Sequence, residues 1–264
     1  MEVSVDLRRL AGRVLAVCLA IEVALVVLDY HVNYGRLSEI GAIRRLFNTA
    51  REDGLLSWFS VTQTAFVALT LWIVALTERW RGTDRWRVRG WLVLTAFFVW
   101  MAVDDGAKVH ERMGTATQAL AERGSAMGSV LAAFPSYAWQ VVFLPVFAAL
   151  GLFTLVFLWR ELGDATGRAL VFTGIGLLVV AVGMDFCEGL DRDHPLNPYV
   201  WLAGFPDVSA FTRARFHRSP YAALVHFSKS LEEFAEAFAN TLLWTAVLRH
   251  WARTASGLRI RFEG

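Results

Sequence analysis

The stretch GWLVLTAFFVWMAVDDGAKVHERMG, residues 90–114, decides the fold of this chain. Its first part, through residue 103, is almost entirely apolar, and the remainder carries five charged side chains and a histidine. A soluble helix would keep its apolar residues on one face, whereas this run is apolar all round. The run is short for a membrane span, but its charged flanks fit one. The sequence therefore predicts a transmembrane helix that ends in a charged layer.

The composition places the whole chain in the membrane class. Hydrophobic residues make up 56% and aromatic residues 13% of the 264 residues, and the mean hydropathy is +0.43. A soluble domain of this size would carry fewer apolar residues. Cys18 and Cys187 both fall inside apolar segments, so neither a disulfide framework nor a zinc motif is expected. The sequence predicts an integral membrane protein whose first partner is the lipid bilayer.

Six segments can cross a bilayer, which needs about 20 apolar residues, if some polar residues are allowed. They comprise residues 13–33, 57–77, 90–106, 137–159, 168–190 and 224–248. Residues 38–52 are amphipathic and predict an interfacial helix, and residues 191–221, rich in proline and aromatic residues, predict an outer loop lying on the membrane. The predicted fold is all-α: a polytopic membrane protein, with one six-helix transmembrane bundle domain over residues 1–264.

Arginines fix the predicted orientation of these spans. They concentrate in three segments that the six-span topology places on one side: Arg8, Arg9 and Arg13; Arg79, Arg81, Arg85, Arg87 and Arg89; and Arg249, Arg253, Arg259 and Arg261. The positive-inside rule makes that side cytoplasmic. Both termini are therefore predicted to be cytoplasmic, and the charged end of residues 90–114 faces outward.

Four of the predicted spans carry charged residues at helical spacing on one face. These stripes consist of His226, Lys229, Glu233, Glu236 and Asn240, with Glu232 at the margin; Asp104, Lys108 and Glu111, with Asp105 and Arg112 beside them; Asp185, Glu188 and Arg192; and Glu22, Asp29 and Asn33. His110 points away from its stripe if the helix stays regular, but Gly106 could end or bend the helix there. The topology brings the charged ends together at the outer side.

The acids in these stripes outnumber the nearby bases. Nine carboxylates lie in or near the spans, whereas the bases are Lys108, Lys229, Arg112 and Arg192. Each unpaired charge facing lipid costs roughly 2.5–3.5 kcal/mol on insertion scales. The excess acids are therefore predicted to face water in an outward-open pocket, to be protonated or to bind cations. Lys108 and Lys229 are the only lysines in the chain, and both lie within the stripes.

Four motifs in order carry a resemblance to a known group of proteins. They are RLFNTAREDGLLSWFSVTQTAFVALTLWIVAL, VDDGAKVHERMG, GMDFCEGLD and KSLEEFAEAFANTLLW, between about residues 45 and 245. The chain resembles a widespread set of uncharacterised prokaryotic multi-pass membrane proteins, which show a D-D or D-E pair followed by H-E, and a final E-E-x-x-E helix. The resemblance implies location in a prokaryotic inner or plasma membrane and no particular reaction. It also implies a shared polar site at Glu52, Asp104, Asp105, His110, Glu111, Glu188, Glu232, Glu233 and Glu236.

A membrane-embedded divalent metal ion is the leading functional hypothesis. Carboxylates with one or two histidines suit Mg, Mn, Fe or Zn, and such an ion could activate water against a lipid or another amphiphilic substrate. The predicted metal ligands are Asp104, Asp105, His110, Glu111, Asp185, Glu188, His226, Glu232, Glu233 and Glu236. Further pocket residues are Glu22, Asp29, Glu52 and Asn240, and the candidate catalytic residues are Lys108, Lys229 and Glu236.

Two alternative functions stay open. A proton- or cation-coupled transporter would use the intramembrane acids, with Lys229 and Asn240, as an ion pathway. A non-catalytic membrane subunit or scaffold would use the polar layer only to fix helix register. In the outer loop, Arg213, Arg215 and Arg218 are candidate ligands for an anionic group. Assembly into a homo-oligomer stays open, and no partner nucleic acid is expected.

Overall fold

The computed structural model describes residues 2–121, 126–216, 218–255 and 258–261, and most of them are helical. Within these ranges the elements are β1 (Glu2–Val5), α1 (Leu7–Leu28), α2 (Gly41–Phe47), α3 (Leu55–Trp80), α4 (Arg85–Ala107), α5 (Val109–Ala121), α6 (Ala126–Ala133), α7 (Ala138–Glu161), α8 (Ala165–Glu188), α9 (Pro198–Ala203), α10 (Pro206–Phe216), α11 (Pro220–Thr254) and β2 (Leu258–Arg261). A π-helical turn, Asp29–Tyr34, continues α1.

Five helices are long and apolar enough to cross a membrane, which supports the predicted membrane class. They are α1 with its continuation to Tyr34, α3, α4, α7 and α8, and they match the first five predicted spans. α11 is not among them, although its 35 residues make it roughly 52 Å long. The half of α11 nearer its N-terminus carries most of the charged stripe. A sixth span and cytoplasmic termini stay predictions.

α11 lies at the centre of the bundle, packed against α8, α1 and α3, while α3 packs on α4. Small residues allow this close packing. Ala237, Ala239 and Ala246 of α11 are fully buried, and a Cβ at Gly174 of α8 would lie 3.1 Å from Leu243 Cγ. Inside a bilayer, close packing of small residues contributes strongly to helix association. Because α11 is central, other helices surround its charged residues.

The hydrophobic core fills the half of the bundle that contains the chain termini. One buried cluster joins Leu7 at the start of α1, Trp91 near the start of α4 and Trp251 near the end of α11. β1 pairs with β2 in antiparallel register, with Glu2 opposite Arg261, so these two strands lie together. The acidic stripes occupy the opposite half, away from this core.

The connecting segments differ from the sequence predictions. The interfacial helix predicted over residues 38–52 is reduced to α2, in which no residue is buried. The predicted outer loop, residues 191–221, contains α9 and α10, each of which begins at a proline, a residue favoured at the first helical position. The small ribbon of β1 and β2 adds to the all-α fold a feature that hydropathy does not reveal.

The π-helical turn at the end of α1 holds a buried acid. Asp29 accepts hydrogen bonds from Asn33 Nδ2 at 2.8 Å, Thr49 Oγ1 at 2.8 Å and Ser230 Oγ at 3.1 Å. π turns are frequent at functional sites. Through these contacts the turn joins α1 to α11 and to the segment that follows α2.

Asp164 links α8 to α11 at the end of the bundle that lies away from the acidic stripes. Its carboxylate accepts a hydrogen bond from the Gly167 N–H at 3.2 Å, and it pairs with Arg249 at 2.7 Å and Arg253 at 2.8 Å. Burial alone would raise the pKa of Asp164, but the hydrogen bonds from Arg249 and Gly167 outweigh burial and hold the pKa below its ordinary value.

Asp164→Ala is expected to lower the free energy of unfolding by about 1–2 kcal/mol, because a helix cap and two partly exposed ion pairs are lost. Since the folded pKa is depressed, this stabilisation is present above the unfolded pKa of ~3.9 and is lost as the pH falls through the folded pKa. Chemical denaturation in detergent at neutral pH and near pH ~3 measures both effects. Asp84→Ala is the matched control, because Asp84 precedes α4 without a side-chain capping bond. An equal loss in the two variants would contradict the prediction.

Candidate functional site

A single residue shapes the charged stretch after α4. Lys108 adopts a left-handed backbone conformation, with φ of 54°, which residues other than glycine rarely take. Its N–H donates to the Asp104 carbonyl at 2.6 Å, and the chain then starts α5. The break expected at Gly106 therefore falls at Lys108, and Gly106 stays within α4.

This break turns His110 back toward Asp104. One carboxylate oxygen of Asp104 accepts the His110 backbone N–H at 2.8 Å, and the other lies 2.7 Å from His110 Nδ1. The imidazole packs edge-on against Trp139, with ring centroids 4.7 Å apart. Asp104 thus caps α5 and fixes the ring. The sequence analysis predicted that, on a regular helix, His110 would point away from the face that carries Asp104.

Lys108 connects two acids at the rim of the site. Its ammonium pairs with Glu52 and lies 3.7 Å from a Glu111 oxygen. Burial lowers the pKa of Lys108 below its ordinary value, although Glu111 and Glu233 act in the opposite direction. Lys108 therefore releases a proton more readily than a lysine in water does.

Lys229 lies among three carboxylates contributed by α8 and α11. Its Nζ is 2.8 Å from Glu232, 3.8 Å from Glu233 and 3.9 Å from Asp185. Asp185 also accepts a hydrogen bond from Gln140 Nε2 at 2.9 Å. One ammonium thus faces three acids, so its charge alone does not neutralise them.

A trio of acids lies next to this group. Asp105 of α4 and Glu233 and Glu236 of α11 are close enough to interact electrostatically, and Asp105 also accepts a hydrogen bond from Ser60 of α3. Like charges repel strongly where the dielectric constant is low. The trio therefore needs shared protons, water or a bound cation.

A cavity of about 270 Å³ opens beside these groups. Its walls include Glu52, Glu111, Asp185, Glu188 and Lys229, with the aromatic residues Tyr137 and Trp139. Burial raises the pKa of Tyr137 above its ordinary value, and Glu188 and Asp185 raise it further. Tyr137 therefore stays protonated and donates a hydrogen bond to Glu188. Four carboxylates against one ammonium leave the lining net negative.

Two predicted pocket residues lie deeper in the bundle and do not line the cavity. Glu22 accepts hydrogen bonds from Thr241 Oγ1 at 2.5 Å and Gln63 Nε2 at 3.2 Å. Asn240 Nδ2 donates to Thr64 Oγ1 at 3.0 Å. These contacts join α1, α3 and α11 below the charged layer.

His226 belongs to a separate polar group beside Asp29. Its Nδ1 lies 2.5 Å from the Tyr34 hydroxyl and its Nε2 lies 3.3 Å from Asn48 Nδ2. The Tyr34 hydroxyl is also 3.5 Å from Ser230 Oγ, which donates to Asp29. The structure therefore does not bring His226 to the acids around Lys229.

Arg112 and Arg192, which the sequence analysis counted among the bases near the acids, do not pair with those acids. The Arg192 guanidinium lies over the Tyr221 ring, 5.0 Å from its centroid. In the described part of the chain, neither Arg192 nor Arg112 pairs with an acid. The charged layer is consequently more acidic than the sequence count indicated, because Lys108 and Lys229 are its cations.

The candidate anion ligands also lie away from the cavity. Arg215 donates to the Tyr30 hydroxyl at 3.0 Å and stacks over the same ring at 4.8 Å. Arg213 and Arg218 are exposed. None of the three lines the acidic cavity.

The donor groups do not form a closed metal site. Over residues 2–121, 126–216, 218–255 and 258–261, no three His, Cys, Asp or Glu side chains are arranged to hold one ion. Among the acids of α8 and α11, the Lys229 ammonium occupies a position that a cation would take. The divalent metal hypothesis stays a prediction.

Sequence reasoning missed Tyr137, Trp139 and Gln140. All three lie at the start of α7 and contact the site through Glu188, His110 and Asp185, respectively. Gln140 is a polar residue within an apolar span, and such residues face the interior of a bundle. Its presence could have indicated that the start of α7 contributes to the site. Its partner Asp185 lies 45 positions away in sequence, so spacing alone could not reveal the contact.

The fold and the site define a helical membrane protein with ionisable side chains gathered in one half of its bundle. Residues 14–251 match a family described as a domain of unknown function, DUF8692. The match covers most of the chain, and the chain belongs to this family, which confirms the predicted membership of an uncharacterised group. No curated protein and no solved structure matches the chain.

Proposed function

We propose that this chain is a six-span membrane protein with cytoplasmic termini that couples proton movement to a cation held in the outward-facing cavity. The proposal is carried by a polar column, the series of polar contacts along α11 from Lys229 to His250. Twenty-one helical steps of ~1.5 Å make roughly 31 Å, which is about the thickness of a hydrocarbon core. The column therefore has the length needed to join the two membrane faces.

The outer part of the polar column is acidic. Lys229, Glu233 and Glu236 follow one another at helical spacing on α11, and Asp105 of α4 faces the two glutamates. One turn further, Asn240 contacts Thr64. These groups supply carboxylates that can exchange protons with the cavity.

The middle of the polar column centres on Glu22. Its side chain is fully buried, with 0% exposure, and it contacts Thr241 and Gln63. Gln63 Nε2 also bonds to Thr241 Oγ1. A carboxyl group at this depth, on the first helix, can relay a proton past the apolar core.

The inner part of the polar column ends at a histidine and an acid. Trp244 Nε1 donates to Thr70 Oγ1 at 2.9 Å, and His250 Nε2 lies 3.7 Å from Glu78 Oε1. Glu78 also accepts a hydrogen bond from Thr83 Oγ1 at 2.6 Å, beside the arginine-rich connector. Sequence reasoning had assigned this end only to the cytoplasmic rim.

Unsatisfied atoms favour a pathway over a rigid scaffold. In the described part of the chain, Glu22 Oε2, Gln63 Oε1 and His250 Nε2 are buried without hydrogen-bond partners. A polar layer that only fixed helix register would be expected to close such bonds, since each unsatisfied group in hydrocarbon costs several kcal/mol. Buried polar atoms without hydrogen-bond partners are expected along a column through which water or a proton passes.

The metal hypothesis is kept as a competing proposal. A metal-dependent membrane enzyme would use Lys108, Lys229 and Glu236 as candidate catalytic residues, but both lysines are engaged in ion pairs. Titration of the detergent-solubilised chain with manganese, with Glu233→Ala/Glu236→Ala as the control, tests whether a divalent ion binds. A metal-dependent enzyme would give the polar column no role. We therefore propose transport as the function.

Proton flux in liposomes tests the proposed function. The purified protein is reconstituted with a pH-sensitive dye inside, and a potassium diffusion potential is imposed with valinomycin. Internal pH is expected to change faster than in protein-free liposomes, and faster still when a cation gradient is added. Equal rates with and without the protein would overturn the proposal.

A further inference from the structure

A second cavity, of about 470 Å³, lies between α10, α11 and the π-helical turn that continues α1. Most of its wall is made by Phe211 and Phe216 of α10, Leu224 and Phe227 of α11, and Tyr30 of the turn. We call it the apolar cavity. Its volume falls within the roughly 300–1,000 Å³ of typical small-molecule sites. This lining suits a hydrocarbon chain.

Two polar side chains on the wall do not change this character. Thr212 Oγ1 donates to the Val208 carbonyl within α10 at 2.9 Å, so its hydroxyl group is already bonded. Asp207 is exposed at the start of α10. The interior of the apolar cavity therefore offers apolar contacts to a ligand.

The apolar cavity is bordered by side chains that face the surroundings of the bundle. Phe211 is 56% exposed and Phe227 is 41% exposed, and both line the cavity. Exposed apolar patches mark sites of contact with a membrane or a partner, and this chain lies in a membrane. The hydrocarbon that reaches the cavity is therefore an acyl chain of the surrounding bilayer.

The face of α10 that lines the apolar cavity leads to Arg215. Val208, Phe211 and Thr212 precede Arg215 by seven, four and three residues, so they share its helical face. The Arg215 guanidinium lies over the Tyr30 ring, 4.8 Å from the centroid, and Nε donates to the Tyr30 hydroxyl at 3.0 Å. In the described part of the chain, no acceptor takes up its terminal N–H groups. These groups can bind an anion.

Arg218 adds a second positive charge beside the same wall. Its side chain is exposed and lies close enough to Tyr34 to interact electrostatically. Tyr34 packs edge-on against Phe216 of the cavity wall, with ring centroids 4.9 Å apart. Among the residues that the structure describes, neither Arg215 nor Arg218 pairs with an acid.

Unpaired arginines beside an apolar cavity match the two parts of an anionic phospholipid. Guanidinium groups bind phosphate through charge-assisted hydrogen bonds that are frequently bidentate. A zwitterionic headgroup would bring its own cation to two arginines that already lack acids. A headgroup with a net negative charge is therefore the better match.

We infer that the apolar cavity holds one acyl chain of an anionic phospholipid from the bilayer, whose phosphate binds Arg215 and Arg218. This inference stands apart from proton transport, because none of its residues belongs to the polar column.

The test is native mass spectrometry of the full chain in detergent micelles with equal amounts of dioleoylphosphatidylglycerol and dioleoylphosphatidylcholine. The two lipids share their acyl chains and their phosphate and differ in net charge. We expect the phosphatidylglycerol to bind about tenfold more tightly, because its phosphate pairs with the arginines without a competing cation. Equal binding of the two lipids would overturn the inference.

Matched charge variants locate the phosphate. Arg215→Gln is expected to bring the affinities for the two lipids close to equal. Arg213 lies two residues earlier, on the opposite face of α10, and Arg213→Gln is expected to keep the preference for phosphatidylglycerol. An undiminished preference in Arg215→Gln contradicts the inference. So does an equal loss in Arg213→Gln, which would indicate diffuse attraction to surface charge.

Two variants that fill the apolar cavity locate the acyl chain. Val208→Trp fills it from α10 and Leu224→Trp from α11, and neither changes the charge. Each is expected to weaken binding of both lipids about tenfold, and circular dichroism checks that each variant folds. Unchanged lipid binding in a folded variant would overturn the inference. The Arg215 side chain is only partly buried, so Arg215→Gln stays decisive if the larger side chains prevent folding.

The same spectra distinguish two other occupants. Displacement of phosphatidylglycerol by glycerol phosphate alone would show that the headgroup binds without an acyl chain. A dimer that dissociates in both tryptophan variants would show that a second copy of the chain occupies the apolar cavity. Either result would overturn the inference.

Discussion

Lys229→Met is expected to lower the free energy of unfolding by about 3–5 kcal/mol, the usual cost of removing one partner from a buried charge group. The lysine side chain is 17% exposed and lies among Asp185, Glu232 and Glu233. Methionine keeps the length and the apolar stem but leaves three carboxylates without their ammonium. Chemical denaturation in detergent micelles, followed by tryptophan fluorescence, measures the loss.

Lys108→Met is the matched control for this prediction, because it removes the other lysine of the charged layer. Its acid partners, Glu52 and Glu111, have side chains 37% and 43% exposed, so the expected loss is about 1 kcal/mol or less. Adding Glu232→Gln to Lys229→Met should restore part of the stability, since one orphaned charge is removed. Similar losses in the two single variants would show that Lys229 is not the counter-ion of the buried acids.

Of the six spans that hydropathy predicted, five correspond to helices long and apolar enough to cross a membrane, because apolar length is a property of the local sequence. The predicted segment 168–190 corresponds to α8, and 137–159 to α7, within a few residues at each end. The helical spacing of Lys229, Glu233 and Glu236 also predicted that these residues share a face. Such periodic patterns need no knowledge of the partner helices.

The rest of the site depended on contacts between distant segments. The backbone conformation of Lys108 turned His110 toward Asp104, and no pattern in the stretch specified that conformation. Arg192 lies over Tyr221 rather than near the acids, because a long side chain has several partners within reach. Glu22 and Thr241 are 219 positions apart in sequence, and their contact follows from the packing of α1 on α11.

Glu22→Gln is expected to reduce proton flux in liposomes by roughly tenfold or more, a change that corresponds to at least ~1.4 kcal/mol added to the barrier. Glutamine keeps the shape of the side chain and can still bond to Thr241 and Gln63, so the bundle should fold. It cannot take up and release a proton as a carboxylic acid does. The measurement is the rate of internal pH change under the same diffusion potential as for the unsubstituted protein.

Glu39→Gln is the control for this loss of flux, because Glu39 is an exposed acid outside the polar column and its replacement removes the same charge. Its flux should equal that of the unsubstituted protein. If Glu22→Gln conducts protons normally, the column is not the route, since Glu22 is the carboxyl group at its centre. Protons would then have to leave the cavity along another face of α11.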